Sequence, residues 1–438
     1  MKYLIGEILL MCPFILSAQN DSSAWSLNKC IDYALQQNIS VQKTALNTET
    51  NAAYLEQSKA SRFPSLNASA SENLRWGRQV SQTGEYGSYK SSNGTSFDVS
   101  SSVRLYNGFK IQNTIKQDEL SLTSGKLNLE TTKESVSLNV LDAYLQVLYA
   151  EEQVKNAEKQ IESTSEQLKM AEERMKFGAI SRSDYLQVKS ELASEQLTLA
   201  NAQKLLTMNK VNLMQLMELP ASTNFSIVHP DFTNVTLQLR NPNVDSVFNE
   251  ALLKKPQIKG AAIDRQIAEL DIAIARASYL PTLSLNAKVS TNYDYPGVDF
   301  STQVENRITP SVGLTLSIPI FQNKQAKTSV SIAKIGSKNA ELSEINTHNQ
   351  LRKEIEQACV DVISAEKQYQ ASLEKYASTE ESYNVSLEKY NQGLLNSVDF
   401  LIQRTKFIAA ESDLIQAKYN LVFSNKTLDF YSGDALTL

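Results

Sequence analysis

Two hydrophobic periods alternate along this chain, and they recur in the same order in its second half. Over 65–76, "SLNASASENLRW", Leu66, Ala68, Ala70, Leu74 and Trp76 share one face of an extended segment, with Ser65, Asn67, Ser69, Ser71, Asn73 and Arg75 on the other. The same alternation holds over 96–106, 282–293 and 309–320, where Phe97, Val99, Val103 and Leu105, then Leu283, Leu285, Ala287, Val289 and Tyr293, then Val312, Leu314, Leu316, Ile318 and Ile320 alternate with polar residues. A period of two predicts four strands, each with one apolar and one polar face. Elsewhere the spacing is three and four. Val147, Ala150, Val154, Ala157, Ile161, Thr164, Leu168, Ala171 and Met175 follow it, as do Ile355, Ala358, Val362, Ala365, Tyr369, Ser372, Tyr376, Thr379, Tyr383, Ser386 and Tyr390. It resumes through Tyr185, Val188, Leu192, Glu195, Leu199, Ala202 and Leu206, and through Phe400, Gln403, Phe407, Ala410, Leu414, Ala417 and Leu421. This is the heptad pattern of coiled-coil packing, and it predicts two antiparallel helical hairpins whose tyrosine stripe serves as packing knobs.

The breaks in the heptads are themselves repeated. "KFGAISRSDYL" at 176–186 corresponds to "NQGLLNSVDFL" at 391–401, with Gly178 matching Gly393, Ser181 matching Asn396, Asp184 matching Asp399 and Tyr185 matching Phe400 at one constant offset. "ASRFPSL" at 60–66 resembles "ASYLPTL" at 277–283, and "LYNGFK" at 105–110 aligns with "IFQNKQ" at 320–325. A duplicated unit is expected, with a first repeat over 19–219, a linker over 220–243, a second repeat over 244–430 and a tail over 431–438. No proline lies between Pro64 and Pro220 or after Pro319, so each long helical pattern follows its strand pair. The expected order in each half is helix, strand, strand, long helix, turn, helix. From Gly108 to Phe177 only Gly125 interrupts, a rod of roughly 105 Å at the helical rise. The return helix over about 181–219 and the first helix of the second half over about 244–280 are each about 60 Å, so two such helices placed end to end match one long helix.

Charge and composition remove several classes of function. Lys and Arg number 43 against 48 Asp and Glu, so no basic surface points to nucleic acid. Cys12, Cys30, Cys359, His229 and His348 have no metal-ligand spacing, and no nucleophile–base grouping, phosphate loop or carboxylate pair stands out. No enzyme, cofactor or metal is expected. Residues 1–18, "MKYLIGEILLMCPFILSA", read as a signal peptide cleaved after Ala18, while bulky Met11 makes a poor lipidation site at Cys12. Beyond residue 18 no apolar run reaches the length of a transmembrane helix, so any membrane crossing falls to strands.

The four strands carry most of the functional information. Each is about 10–12 residues, the length of a tilted transmembrane strand. Segments 77–95 and 294–308 read as polar loops on one side. Four strands cannot close, and a lipid-exposed edge has no partners for its backbone, so the chain must oligomerise. Two copies make eight strands with a filled interior, whereas three make twelve and leave a lumen.

With these features in their order, the chain resembles the outer-membrane efflux protein family, the TolC type. The resemblance covers essentially all of the mature chain and rests on the duplication, the strand entries at Pro64 and Pro281, "LYNGF" and the repeated turn. It implies a homotrimer with a twelve-stranded barrel among outer-membrane lipids of a Gram-negative bacterium. A long periplasmic coiled-coil helical barrel would continue it and meet a periplasmic adaptor (membrane fusion) protein and an inner-membrane pump. The two turns would then lie at one height, at the tip. Gly178 and Gly393 are free to take positive φ after the outgoing helix, and Ser181 with Asp184, like Asn396 with Asp399, have the spacing of an N-cap and an acidic third residue. The resemblance assigns Phe177, Gly178, Ala179, Ile180, Ser181, Gly393, Leu394, Leu395 and Asn396 to adaptor docking, and Asp184 and Asp399 to a periplasmic gate; Ala179, Ile180, Leu394 and Leu395 are apolar at a site that should be solvent-exposed if nothing bound there. Family members with a second aspartate one turn on carry it where this chain has Ile402. The implied function is a passive exit duct for small molecules in a tripartite pump. Export of protein in a type I secretion system, or a secreted coiled-coil scaffold without a pore, are the alternatives.

Overall fold

The computed structural model describes residues 24–80, 84–220, 223, 225–230, 242–295, 297–434 and 436. The expected signal peptide and Cys12 lie outside them, as do parts of the 220–243 linker and the 431–438 tail. The first half contains helices α1 (Leu27–Gln37) and α2 (Ile39–Ala60), strands β1 (Ser65–Val80) and β2 (Tyr86–Tyr106), and helices α3 (Lys110–Lys176) and α4 (Arg182–Leu216). The second contains α5 (Val244–Lys254), α6 (Pro256–Arg276), β3 (Thr282–Tyr295), α7 (Phe300–Asn306), β4 (Thr309–Ser317), α8 (Gln325–Asn391) and α9 (Ser397–Ser432). The described residues divide into two compact units: those through Ala34 with those from Val140 to Pro230, and Leu35–Asn139 with those from Pro242 on.

Four expectations are corrected. The helix expected over 244–280 is two helices and a 3-10 turn, because Pro256 forces Lys255 into extended backbone (φ −68°, ψ 125°) between them. The segment 77–95 is mostly strand: β1 and β2 continue as a ladder through Trp76 opposite Ser91 and Arg78 opposite Tyr89. The segment 294–308 contains α7, and β4 stops at Ser317 instead of running to Ile320, ahead of Pro319.

In the first unit the seam residues Val147, Ala150, Ala157, Thr164 and Ala171 of α3 and Val188 and Glu195 of α4 are buried. Asn209 Nδ2 donates to the Gln146 carbonyl at 3.0 Å, and Lys210 pairs with Glu151 at 2.7 Å, tying the two helices. Tyr144, fully buried, donates its hydroxyl to the carbonyls of Trp25 (3.1 Å) and Val228 (2.7 Å), where Trp25 bridges Ile227. Cys30 is buried beside it, and burial pushes its thiol up to about 12.

In the second unit a core forms from Ala251, Ile258, Leu351, Ile355, Ala358, Cys359, Val362 and Leu428, on α5, α6, α8 and α9. Cys30 and Cys359 are both free thiols. Lys255, at the α5–α6 break, is buried with its ammonium 3.4 Å from the centre of the Phe430 ring and 3.2 Å from Glu134. Burial pulls its pKa down, and Glu134 opposes the shift. Gly125 lets α2 approach α3: a Cβ there would meet Asn51 Nδ2 at 2.7 Å, and that amide donates to the Ser121 carbonyl.

Candidate functional site

The four strands pair in the order β1-β2-β3-β4, all antiparallel. Register decides whether the faces read from single strands add up, since a slip of one residue would interleave them. They add up. Leu66, Ser101, Ala287 and Val312 stand in one row across the sheet, Ala68, Val99, Val289 and Pro310 in the next, and Val103, Leu285 and Leu314 in the row on the other side. The rows between them are polar: Asn67, Ser100, Lys288 and Ser311, then Ser69, Asp98, Ser290 and Thr309. On that polar face Lys288 pairs with Asp98 at 2.7 Å and Asn286 bridges Ser102 and Thr315 at 2.8 and 3.1 Å.

No described residue covers the apolar face along the outer strands β1 and β4. Leu66 is 74% exposed and Val312 77%, with Leu314 and Leu316 beside them, far more contiguous apolar surface than scattered exposure produces. The first charged side chain on this face enters in the row of Glu72, Thr95 and Tyr293, where Asn93 Nδ2 donates to Glu72 at 2.5 Å; Leu74 follows in the next row. From the row of Leu283 to the row where Ala70 and Phe97 stand beside Thr291, the face spans about 27 Å along the strand, or about 21 Å of height at a ~40° tilt, close to the ~25 Å apolar band of a transmembrane barrel. Trp76 and Tyr89 lie beyond it on the same side.

The two turns are built alike. After α3, Gly178 takes φ +74°, its N–H donating to the Met175 carbonyl (3.0 Å) and that of Ala179 to the Arg174 carbonyl (2.8 Å). After α8, Gly393 takes φ +77°, with Gly393 donating to Tyr390 (3.1 Å) and Leu394 to Lys389 (2.9 Å). Both are Schellman motifs, which satisfy the last carbonyls of a helix and need a left-handed residue. Ser181 then caps α4: its Oγ accepts from Asp184 N–H at 3.1 Å, while the Asp184 carboxylate accepts from Ser181 N–H at 3.2 Å. Asn396 caps α9, accepting from Asp399 N–H at 2.8 Å and donating to its carboxylate at 2.8 Å. Each aspartate thus sits in the first turn of a helix, where negative charge is favoured.

Not every tip residue lies where the sequence suggested. Ile180 and Leu395, expected to be solvent-exposed, are half-buried; the exposed apolar side chains are Phe177 at 89% and Leu394 at 73%. They stand at the helix end and just past the glycine, where the chain turns outward. The signal for Phe177 was present, since the last residue before a Schellman glycine has no seam to enter.

A sheet with a band-like apolar face, attached to long capped hairpins, defines a protein that enters a membrane by strands. A family model described as outer membrane efflux protein matches residues 30–218 and 247–434, and the chain belongs to that family. It resides in the outer membrane, with a large periplasmic helical part. No curated protein sequence matches it. Among solved structures, the channel CusC superposes with a TM-score of 0.81 at 18% identity, covering 93% of this chain and 92% of that one. The outer membrane channel CmeC of Campylobacter jejuni gives 0.79 at 21% identity over 93% and 85%. The open-state outer membrane channel MtrE of Neisseria gonorrhoeae gives 0.75 at 19% identity over 94% and 89%.

Proposed function

We propose that three copies of this chain close a twelve-stranded barrel and conduct small molecules passively out of the cell, as the exit duct of a tripartite pump. The observation that carries this reading is the register-matched sheet: one continuous apolar face, one continuous polar face, and edges at β1 and β4 that a second copy must pair. Three copies are the smallest number that leaves a water-filled lumen. The polar face, with Lys288, Asp98 and Arg104, then lines the water path, and the duct needs no binding pocket because energy comes from the partner.

The test is native mass spectrometry in detergent joined to planar-bilayer conductance. Leu285→Arg and Leu316→Arg are expected to impair membrane assembly at roughly 2–4 kcal/mol per site, whereas Ser284→Arg and Thr315→Arg alter conductance with assembly intact. Equal tolerance at all four positions, or a stable monomer without conductance, refutes the barrel. The turns are proposed as the docking surface for a periplasmic adaptor, since Phe177 and Leu394 expose apolar side chains that a partner would cover. Phe177→Asp with Leu394→Asp is expected to abolish efflux at an unchanged amount of trimer; unchanged efflux removes docking from these turns.

A further inference from the structure

β4 begins at Thr309, opposite Ser290, so β3 runs on past its partner through Thr291 to Tyr295. A strand edge left open there would waste backbone hydrogen bonds. α7 occupies the place. The buried Gln303 supplies with one side-chain amide both partners that a strand would offer: it accepts from Asp294 N–H at 3.1 Å and donates to the Asp294 carbonyl at 3.0 Å. Thr291 Oγ1 donates to the Val304 carbonyl at 2.7 Å, and Arg307 pairs with Asp294 at 2.6 Å.

So seated, α7 reaches the apolar side of the sheet. The Phe300 ring packs edge-on against Phe97 and Tyr293, at 6.3 and 5.3 Å, and both belong to the apolar face at the level where it gives way to Glu72 and Asn93. Phe300 keeps half its surface free; Val298 and Ile308 flank it, also exposed, and Ile308 continues the file of Pro310, Val312 and Leu314 along β4.

We infer that α7 is an interfacial anchor: it lies on the lipid side of the sheet at the outer leaflet, with Val298, Phe300 and Ile308 in the boundary between headgroups and acyl chains. Lipid is the occupant because these side chains prolong the apolar face at the height where its polar border begins, and the exposed Asp299 and Glu305 are at hand for the headgroup layer. The anchor sets the depth of the sheet and holds the β3–β4 connection down at the membrane surface. It rests on the reading that the apolar face meets lipid, so the test includes a position that separates the two.

Nitroxide labels are placed singly at V298C, I308C, V312C and R78C in the full chain carrying Cys12→Ser, reconstituted in vesicles; the native Cys30 and Cys359 are buried. Relaxation by oxygen, which partitions into lipid, is compared with relaxation by a water-soluble nickel chelate. Oxygen is expected to dominate at 298, 308 and 312 and nickel at 78. Nickel dominance at 298 and 308 with oxygen dominance at 312 overturns the anchor and leaves the barrel standing. Low accessibility to both reagents at 298 and 308 also overturns it, by placing α7 against a neighbouring copy. Nickel dominance at 312 removes the membrane face itself.

Discussion

The hairpins α3/α4 and α8/α9 share a frame and differ in filling. Their turns agree bond for bond: a left-handed glycine, two Schellman hydrogen bonds, and an N-cap bonded to an aspartate three residues on. Their seams do not agree. In the second hairpin Tyr390 stacks on Phe400 at 4.7 Å, Tyr383 on Phe407 at 5.0 Å, and Tyr376 lies 5.6 Å from Phe407, an aromatic ladder running from the tip. The matching positions of the first hairpin are Met175, Tyr185, Leu168, Leu192 and Ile161. There Asn156, Thr164, Gln167 and Glu195 are buried, with Glu195 where the second hairpin has Ala410, while the second hairpin buries Glu366, Ser397, Arg404 and Ser424 at other positions. The turn is held by backbone geometry, which few residue types satisfy. The seam asks only for heptad spacing and matched volume, so it can be refilled with aromatics, aliphatics or buried polar groups. Both seams bury polar groups, so the difference rests on the aromatic pairs, which add about 0.5–1.5 kcal/mol each beyond their buried area and hold the second tip more firmly than the first.

Truncating the ladder should break that comparison most visibly. Phe400→Ala, at a side chain 2% exposed that meets both Tyr383 and Tyr390, is expected to cost about 3–5 kcal/mol. Tyr185→Ala, at the matching half-buried position, should cost about half as much; denaturant unfolding of the two variants decides, and equal losses remove the difference in filling. The shared frame predicts the opposite pattern at the glycines. Gly178→Ala and Gly393→Ala should each cost about 1–2 kcal/mol through the left-handed conformation, and by similar amounts, because neither Cβ would meet another atom within 4 Å. A large disparity in the same unfolding assay would show that the turns are not equivalent. The smallest effect on stability, a few tenths of a kcal/mol, is expected for Asp184→Asn with Asp399→Asn, which keep a capping side chain and remove its charge. If these carboxylates act at a periplasmic gate, the reversal potential in a salt gradient shifts away from cation selectivity while the trimer persists. An unchanged potential means that they cap helices and do nothing more.

Much of this arrangement was legible in the chain. Strand faces, heptad seams and caps are local patterns, and each acts through spacing that any reader of residues can count. The break at Pro256 was also legible, though the helix was expected to run through it. The ends of β1 and β2 were not: Gly77, Ser91, Ser92, Asn93 and Gly94 have the composition of a loop and become strand because the partner ladder supplies their hydrogen bonds. Likewise α7 is too short to show a period, and it is held by Gln303 reaching the backbone of Asp294, a contact without a local signature. Ile180 and Leu395 looked exposed because the turn glycines beside them did; the path of the chain after those glycines tucks them in.

The sequence by itself determined which residues share a face, where the helices reverse, and which groups close their ends, because periodicity and capping depend on neighbours within a few residues. Only the tertiary structure decided that the four apolar faces fall in register as one surface, that Glu72 and Asn93 meet at its border, and that α7 covers the unpaired stretch of β3. Those outcomes depend on pairing between segments far apart in the chain, where a shift of one residue would turn every side chain to the other side.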